Sequence, residues 1–229
     1  MLLALLLAAQ AAAEAPRLTP ATLPPVPPDA VRVLLVRHGQ ALSNLDPAPD
    51  LPPEKLDRLT ELGRMQARRA AEALRRVPIE RILTSPAGRA QETARVLADV
   101  LGLPVEPEPR LRSLELGRGP DGRELDWDFR EAEWGAGRDP SPEGGESLEG
   151  VGKRVLGLVD ELARRPGRSL LLVAHSEVLA AFVGEVLRLP AAKRWPPAVP
   201  NGSITVVEAR PGEPPRVLVT SYVPAPAGR

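Results

Sequence analysis

Residues 31 to 44 read Val-Arg-Val-Leu-Leu-Val-Arg-His-Gly-Gln-Ala-Leu-Ser-Asn, and the change of character halfway along limits the folds open to the chain. Apart from Arg32, Val31 to Val36 is apolar and rich in β-branched residues. That is the pattern of a strand buried on both faces, which belongs to a parallel sheet covered by helices. The run stops at Arg37-His38-Gly39, so the strand delivers a histidine to a sheet edge, where α/β proteins place their chemistry. His175 is the only other histidine, and it too ends an apolar run, Ser169 to Ala174.

The rest of the chain alternates helix-like and strand-like segments. Thr60 can cap a helix whose Leu62, Met65, Ala70, Ala73, Leu74 and Val77 fall roughly on one face. Ile79 to Thr84 reads as a short strand. Ser85-Pro86 then starts a helix to about Leu101, with Ser85 as cap, Pro86 at the first helical position and Arg89 in the first turn. An arginine there opposes the helix dipole unless an anion lies nearby. Val105 to Leu116 begins as a strand and becomes irregular. Gly117 to Glu146 carries Trp127, Phe129 and Trp134 and is too long for a simple connection, which suggests a lid or binding loop. A helix from Ser147 to about Arg165, a strand from Ser169, a helix from Ser176 to Leu187 and two closing strands, Ser203 to Val207 and Val217 to Val223, complete the order. It predicts a single three-layer α/β/α domain with a mostly parallel central sheet.

With 30 basic and 30 acidic residues in 229, the chain has no global field, so neither nucleic acid nor an anionic membrane surface is implied as a partner. There is no cysteine, which excludes disulfides, thiol nucleophiles and thiolate metal sites. Residues 1–13, apolar and ending Ala11-Ala12-Ala13, have the pattern of a signal peptide. They are too short for a stable membrane span, which needs ~20 residues. Export to the periplasm or medium follows from that pattern; without a leader the protein would be cytoplasmic. Prolines at 16, 20, 24, 25, 27 and 28 make residues 14–29 a tether without a regular element. The folded domain then spans 30–223, with 224–229 as a tail.

If His38 and His175 converge at the C-terminal edge of the sheet, Arg37 and Arg89 would join them. Two guanidinium groups offer paired donors that match phosphate oxygens, and a helix starting at Ser176 would add backbone N–H groups. A neutral imidazole can attack phosphorus in line while the other histidine stabilises charge on the transferring group. His38 is the better nucleophile, because Gly39 lets the backbone turn close beneath the phosphate. A metal site would need three or more ligands, and the acidic residues near either histidine show no such spacing. A serine elbow such as Gly-x-Ser-x-Gly is absent, and Ser176 would point to the opposite side of the chain from His175.

These residues resemble the histidine phosphatase superfamily, in its phosphoglycerate-mutase-like branch. Arg37-His38-Gly39 with Asn44 matches the family's first block, and Leu59-Thr60 with Gly63 and Gln66-Ala67 the second. Thr84-Ser85-Pro86 with Arg89-Ala90 and Thr93-Ala94 forms the third. Gly145-Glu146-Ser147, Val173-Ala174-His175 and Asn201-Gly202-Ser203 follow in order. The resemblance implies a phosphohistidine on His38, phosphate binding by Arg37, Asn44, Arg89 and His175, and no metal or organic cofactor.

Two departures from the family pattern bear on activity. Where many members carry a general-acid glutamate, this chain has Ser113, with Glu115 two residues on and projecting to the same side if the segment is extended. Glu115 is therefore the candidate third catalytic residue beside His38 and His175; Glu124 is another possible acid. Ser176 stands where a glycine commonly follows the second histidine. With two histidines in all, the glutamate-arginine-histidine-tyrosine signature of true mutases cannot be present, which favours hydrolysis. The expected function is a metal-independent phosphatase acting on a small phosphorylated substrate. The alternatives are a phosphohistidine or phosphoprotein phosphatase, or a weakly catalytic phosphate-binding module.

Overall fold

The structure, a computed structural model, describes residues 19–194 and 199–225. The apolar stretch read as a leader lies outside the described residues. Six strands form one sheet in the order β3-β2-β4-β1-β5-β6. They are β1 (Val31–Arg37), β2 (Ile79–Thr84), β3 (Val105–Pro107), β4 (Arg168–Ala174), β5 (Ile204–Ala209) and β6 (Arg216–Tyr222). The first four pair in parallel, while β5 runs antiparallel to both β1 and β6. Helices α1 (Glu61–Leu74) and α2 (Gly88–Leu101) cover one face, and α4 (Leu148–Ala163) and α5 (Ser176–Val186) the other. The mostly parallel α/β/α arrangement agrees with the order of elements expected from the sequence.

Both faces of the central strands are buried. In β1, Val31, Val33 and Leu35 pack into the core beneath α4 and α5, whereas Leu34 and Val36 pack beneath α1 and α2. β4 divides in the same way, with Leu170, Leu172 and Ala174 on one side and Leu171 and Val173 on the other. Successive side chains alternate across a strand, so a continuous apolar run fills two cores at once. Arg32 is buried on β1 because its guanidinium meets the Glu208 carboxylate at 3.0 Å. β1 leaves the sheet toward α1 and β4 toward α5, on opposite faces. A crevice therefore opens at their C-terminal ends, the switch point where α/β sheets bind ligands.

Local details differ from the sequence expectations in four places. Leu62 and Met65 of α1 are exposed, and the buried stripe consists of Gly63, Ala67, Ala70, Ala71 and Leu74. Small residues let α1 approach the turn after β1 so closely that a Cβ on Gly63 would lie 2.1 Å from the Gln40 carbonyl oxygen. A Cβ on Gly39 would in turn lie 2.2 Å from the Gly63 carbonyl oxygen. Helix α2 starts at Gly88 rather than at Pro86, and Ser85 is not its cap. The Asp57 carboxylate does that work instead, accepting from Gly88 N at 2.6 Å and Arg89 N at 3.4 Å. It is also the anion that reconciles Arg89 with the helix dipole. The excursion after Leu116 contains a helix, α3 (Trp127–Gly135), capped by Asp126. Trp134 on α3 is fully buried in the core beneath α4 and α5, whereas Trp127 is partly exposed. Finally, the proline-rich segment includes a 3-10 turn, Pro20–Thr22, and Leu23 packs against the core beneath α1 and α2.

Placing a methyl group at the α1 contact forces either the helix or the turn to move. Gly63→Ala should therefore destabilise the fold by about 2 kcal/mol, within the range for overpacked sites. Urea denaturation would show a lower midpoint with an unchanged slope; an unchanged midpoint would mean that the contact relaxes freely.

Candidate active site

Parallel pairing of β1 with β4 sets Arg37 opposite Ala174, so the next residue of each strand is a histidine at the same level. His38 N donates to the Ala174 carbonyl at 2.9 Å, which holds the two ends together. The imidazole rings lie 5.2 Å apart between centroids at 63°. Both are nearly inaccessible, His38 at 3% and His175 at 1% exposure. The turn that carries His38 is tied to both helices on its face. Gly39 N donates to Thr93 Oγ1 of α2 at 3.0 Å, and Thr60, which caps α1, donates its hydroxyl to Gln40 Oε1 at 2.8 Å.

Arg89 joins these groups from the first turn of α2. Its Nε donates to His38 Nε2 at 3.2 Å, its Nη2 to His175 Nδ1 at 3.0 Å and its Nη1 to Asp57 Oδ1 at 2.6 Å. Arginine is only a donor, so the two imidazole nitrogens it meets must be acceptors. His38 then carries its proton on Nδ1, bonded to the Gly39 carbonyl at 2.8 Å, and His175 on Nε2, bonded to Ser85 Oγ at 2.8 Å. Both histidines hold a proton far less readily than a free imidazole. Burial is the main cause for each; for His38 the adjoining His175 and Arg89 also disfavour a proton, and for His175 the guanidiniums of Arg89 and Arg37 do. The resting site thus presents a neutral His38 with an unprotonated Nε2, the state a nucleophile requires.

A cleft of about 410 Å³ opens over these groups. Arg37, His38, Asn44, Arg89 and Ser176 line it, with Ser43, Ser113, Trp127, Glu131 and Glu177 completing the wall. Arg37 donates Nη1 to the Val199 carbonyl at 2.6 Å, while its buried Nε has no partner. Burial weakens the hold of Arg37 on its proton; the nearby Glu177 opposes that effect and Arg89 adds to it. Asn44 Oδ1 accepts from Ala41 N at 3.0 Å and from Asn201 Nδ2 at 3.4 Å, which leaves its own N–H groups to donate. The same Asn201 nitrogen bonds the His38 carbonyl at 3.0 Å. Helix α5 begins at Ser176, so its free N–H groups and positive dipole end lie at the cleft. Two guanidiniums, a helix N-terminus and an amide facing one cleft make a site for a tetrahedral anion. Among the described residues, no group of three or more histidine, cysteine or acidic side chains could hold a metal ion.

Five of the residues singled out in the sequence, Arg37, His38, Asn44, Arg89 and His175, meet here. Glu115 does not line this cleft. The segment from Ser113 to Gly117 forms no strand; Leu114 turns into the core, while Ser113 and Glu115 on either side of it both line an adjoining pocket of about 430 Å³. The Glu115 carboxylate is mostly exposed, 3.8 Å from Arg112, and Glu124 lines the same pocket. That pocket shares Arg89, Ser113 and Trp127 with the cleft. Ser176 lines the cleft from the first position of α5 and bonds Glu177, whereas the His175 ring meets Ser85 and Arg89. Sequence reasoning missed Asp57, which anchors Arg89, and Glu177, a buried carboxylate in the cleft wall. Glu177 carried a signal, since an acidic residue on the otherwise apolar start of α5 is out of pattern. Asp57 carried none, lying in a polar loop among other acidic residues.

The histidine phosphatase superfamily (branch 1) matches residues 33–221, and the chain belongs to that superfamily. A probable phosphoglycerate mutase GpmB from Yersinia pestis (strain Pestoides F) is 34% identical over 168 residues, covering 70% of this chain and 77% of that protein. Among solved structures, Mycobacterial hydrolase 2 is similar with a TM-score of 0.69 and 30% identity, over 86% of this chain and 93% of that one. A mycobacterial glucosyl-3-phosphoglycerate phosphatase in complex with VO3 is similar with a TM-score of 0.64 and 31% identity, over 83% and 99%. Membership makes the chain an enzyme of phosphoryl chemistry, with phosphatases among its structural neighbours.

The two buried imidazoles give stability a defined dependence on pH. Their folded-state pKa values lie below the unfolded value of about 6.5, so below that pH the unfolded chain binds protons that the folded one refuses. Stability from this source is complete above pH ~6.5 and is lost as the pH falls beneath it. Thermal unfolding midpoints should fall between pH 7 and 5 more steeply in the wild type than in a His38→Asn/His175→Asn variant. Inorganic phosphate should reduce the wild-type slope. Parallel curves for the two proteins would contradict this account.

Proposed function

We propose that the protein is a phosphatase that hydrolyses phosphomonoesters through a phosphohistidine on His38, without a metal. The observation that carries this reading is the placement of Arg89, whose guanidinium reaches both imidazoles and faces a cleft with Arg37. A phosphate dianion docks on Arg37, Arg89, Asn44 and the N-terminus of α5. In doing so it draws the Arg89 Nε–H away from His38 Nε2 and frees the nucleophile. The Gly39 carbonyl keeps the His38 proton on Nδ1, so that Nε2 faces phosphorus and the imidazolium formed on attack stays hydrogen-bonded. The anion also offsets the two arginines around His175, which favours a proton on Nδ1 and its donation to an equatorial oxygen. Water then attacks the phosphohistidine and phosphate leaves.

Hydrolysis is favoured over mutase action, because two histidines leave no room for the signature of true mutases. The position of Glu115 outside the cleft supports a second reading. A phosphohistidine or phosphoprotein phosphatase places less demand on a proton donor when the leaving imidazole departs readily. Export completes the proposal: the protein recovered outside the cytoplasm should begin at about Glu14, which N-terminal sequencing would read.

His38→Ala should lower kcat on an aryl phosphate by at least about 10⁴-fold and abolish acid-labile labelling by radioactive phosphate, as expected for loss of a covalent nucleophile. Turnover of the wild type should persist in EDTA. Retained labelling in the variant, or loss of activity on chelation, would overturn the proposal.

A further inference from the structure

Transfer of a phosphoryl group from an alkyl ester to His38 leaves an alkoxide, which needs a proton at the moment the P–O bond breaks. Two carboxylates line the cleft that holds His38, Glu131 and Glu177. Glu131 is exposed on α3, whereas Glu177 is 4% exposed. Glu177 makes no ion pair among the described residues. It is held by neutral donors only: Ser113 Oγ at 2.6 Å and Leu114 N at 3.4 Å on Oε1, and Ser176 Oγ at 3.2 Å on Oε2. Hydroxyls accept as well as donate, so Ser113 and Ser176 can turn to meet a proton on either carboxylate oxygen, and Arg37 lies nearby to balance the charge when that proton leaves. Ser113 also lines both the His38 cleft and the adjoining pocket, so its hydroxyl stands where an ester would pass from its phosphate to its organic part.

We infer that the Ser113–Glu177 pair is the proton donor to the leaving group, acting from the start of α5 in place of Glu115, which does not line the cleft. The inference rests on the phosphatase reading above. As the bond from ester oxygen to phosphorus breaks and the bond from His38 Nε2 to phosphorus forms, Ser113 Oγ gives its proton to the departing oxygen and takes one from Glu177. The alcohol leaves. A water that attacks the phosphohistidine then returns a proton through Ser113 to the Glu177 carboxylate, and the N–P bond breaks to give phosphate and neutral His38. Protons and charge balance over the cycle, and no further reactant is required.

A general acid matters in proportion to the basicity of the leaving group, which separates this role from a structural one. Glu177→Gln keeps the shape and the hydrogen bond to Ser113 but cannot supply the proton. Its kcat/KM should fall by about 10²–10⁴-fold on an alkyl phosphate and by no more than about tenfold on a p-nitrophenyl phosphate. His38 should still be labelled from the aryl ester. Ser113→Ala, which removes the relaying hydroxyl and keeps the Glu177 carboxyl, should show the same selectivity for the alkyl ester to a smaller degree. Equal losses on both esters in Glu177→Gln and Ser113→Ala, or the selective loss in Glu131→Gln instead, would overturn the assignment. Labelling of His38→Ala is the separate control: if it persists, the phosphohistidine reading fails whatever Glu177 does.

Discussion

The pairing of β1 with β4 is the constraint on which the site depends. Seven consecutive residues of each strand are in register, from Val31 opposite Arg168 to Arg37 opposite Ala174. Because side chains alternate across the sheet, a slip of one residue would exchange the two cores and carry one histidine past the other. Apolar contacts on both faces forbid that slip. The precision of the active site is thus inherited from Val33, Leu35, Leu170 and Leu172, none of which reaches the cleft.

Charge is organised around that pairing. Burial drives both imidazoles toward neutrality and leaves the arginines as the positive groups of the cleft. Asp57 neutralises one edge of Arg89, while the buried Nε of Arg37 stays without a partner. The dipoles are fixed before substrate arrives, so an anion entering the cleft finds its donors already aimed and little reorganisation is required. The oxygens and nitrogens that fix them belong to at least four different segments of the chain: the loop before α1, the start of α2, the end of β4 and the Asn201 turn.

The legible part of the sequence was the part governed by periodicity. Two apolar runs ending in histidine gave the central strands, their parallel pairing and the edge where the site forms. Arg89 was legible because arginine is misplaced in a first turn, and the structure supplies the missing anion in Asp57. What could not be read was whatever depends on a chain path without period. Glu115 shares the adjoining pocket with Ser113 but does not line the cleft over His38, and no spacing within residues 113 to 117 could have told the two apart. Ser85 looked like a helix cap because Ser-Pro usually is one, but its hydroxyl orients His175 and the helix starts later. Met65 and Leu62 followed helical spacing onto a face that proved to be solvent, because the approach of α1 to the turn after β1 selects small residues there.

That approach has a consequence for how substrates are chosen. Gly39 and Gly63 each occupy the space a side chain on the other would need, so α1 and the turn bearing His38 behave as one rigid body. The opposite wall, from Ser113 through α3, is built of loops, a short helix and half-exposed side chains such as Trp127. One side of the cleft is an anvil and the other is adjustable. Relatives with this architecture can therefore change the shape of the cleft by redrawing a single wall, while the position of the His38 nitrogen stays the same.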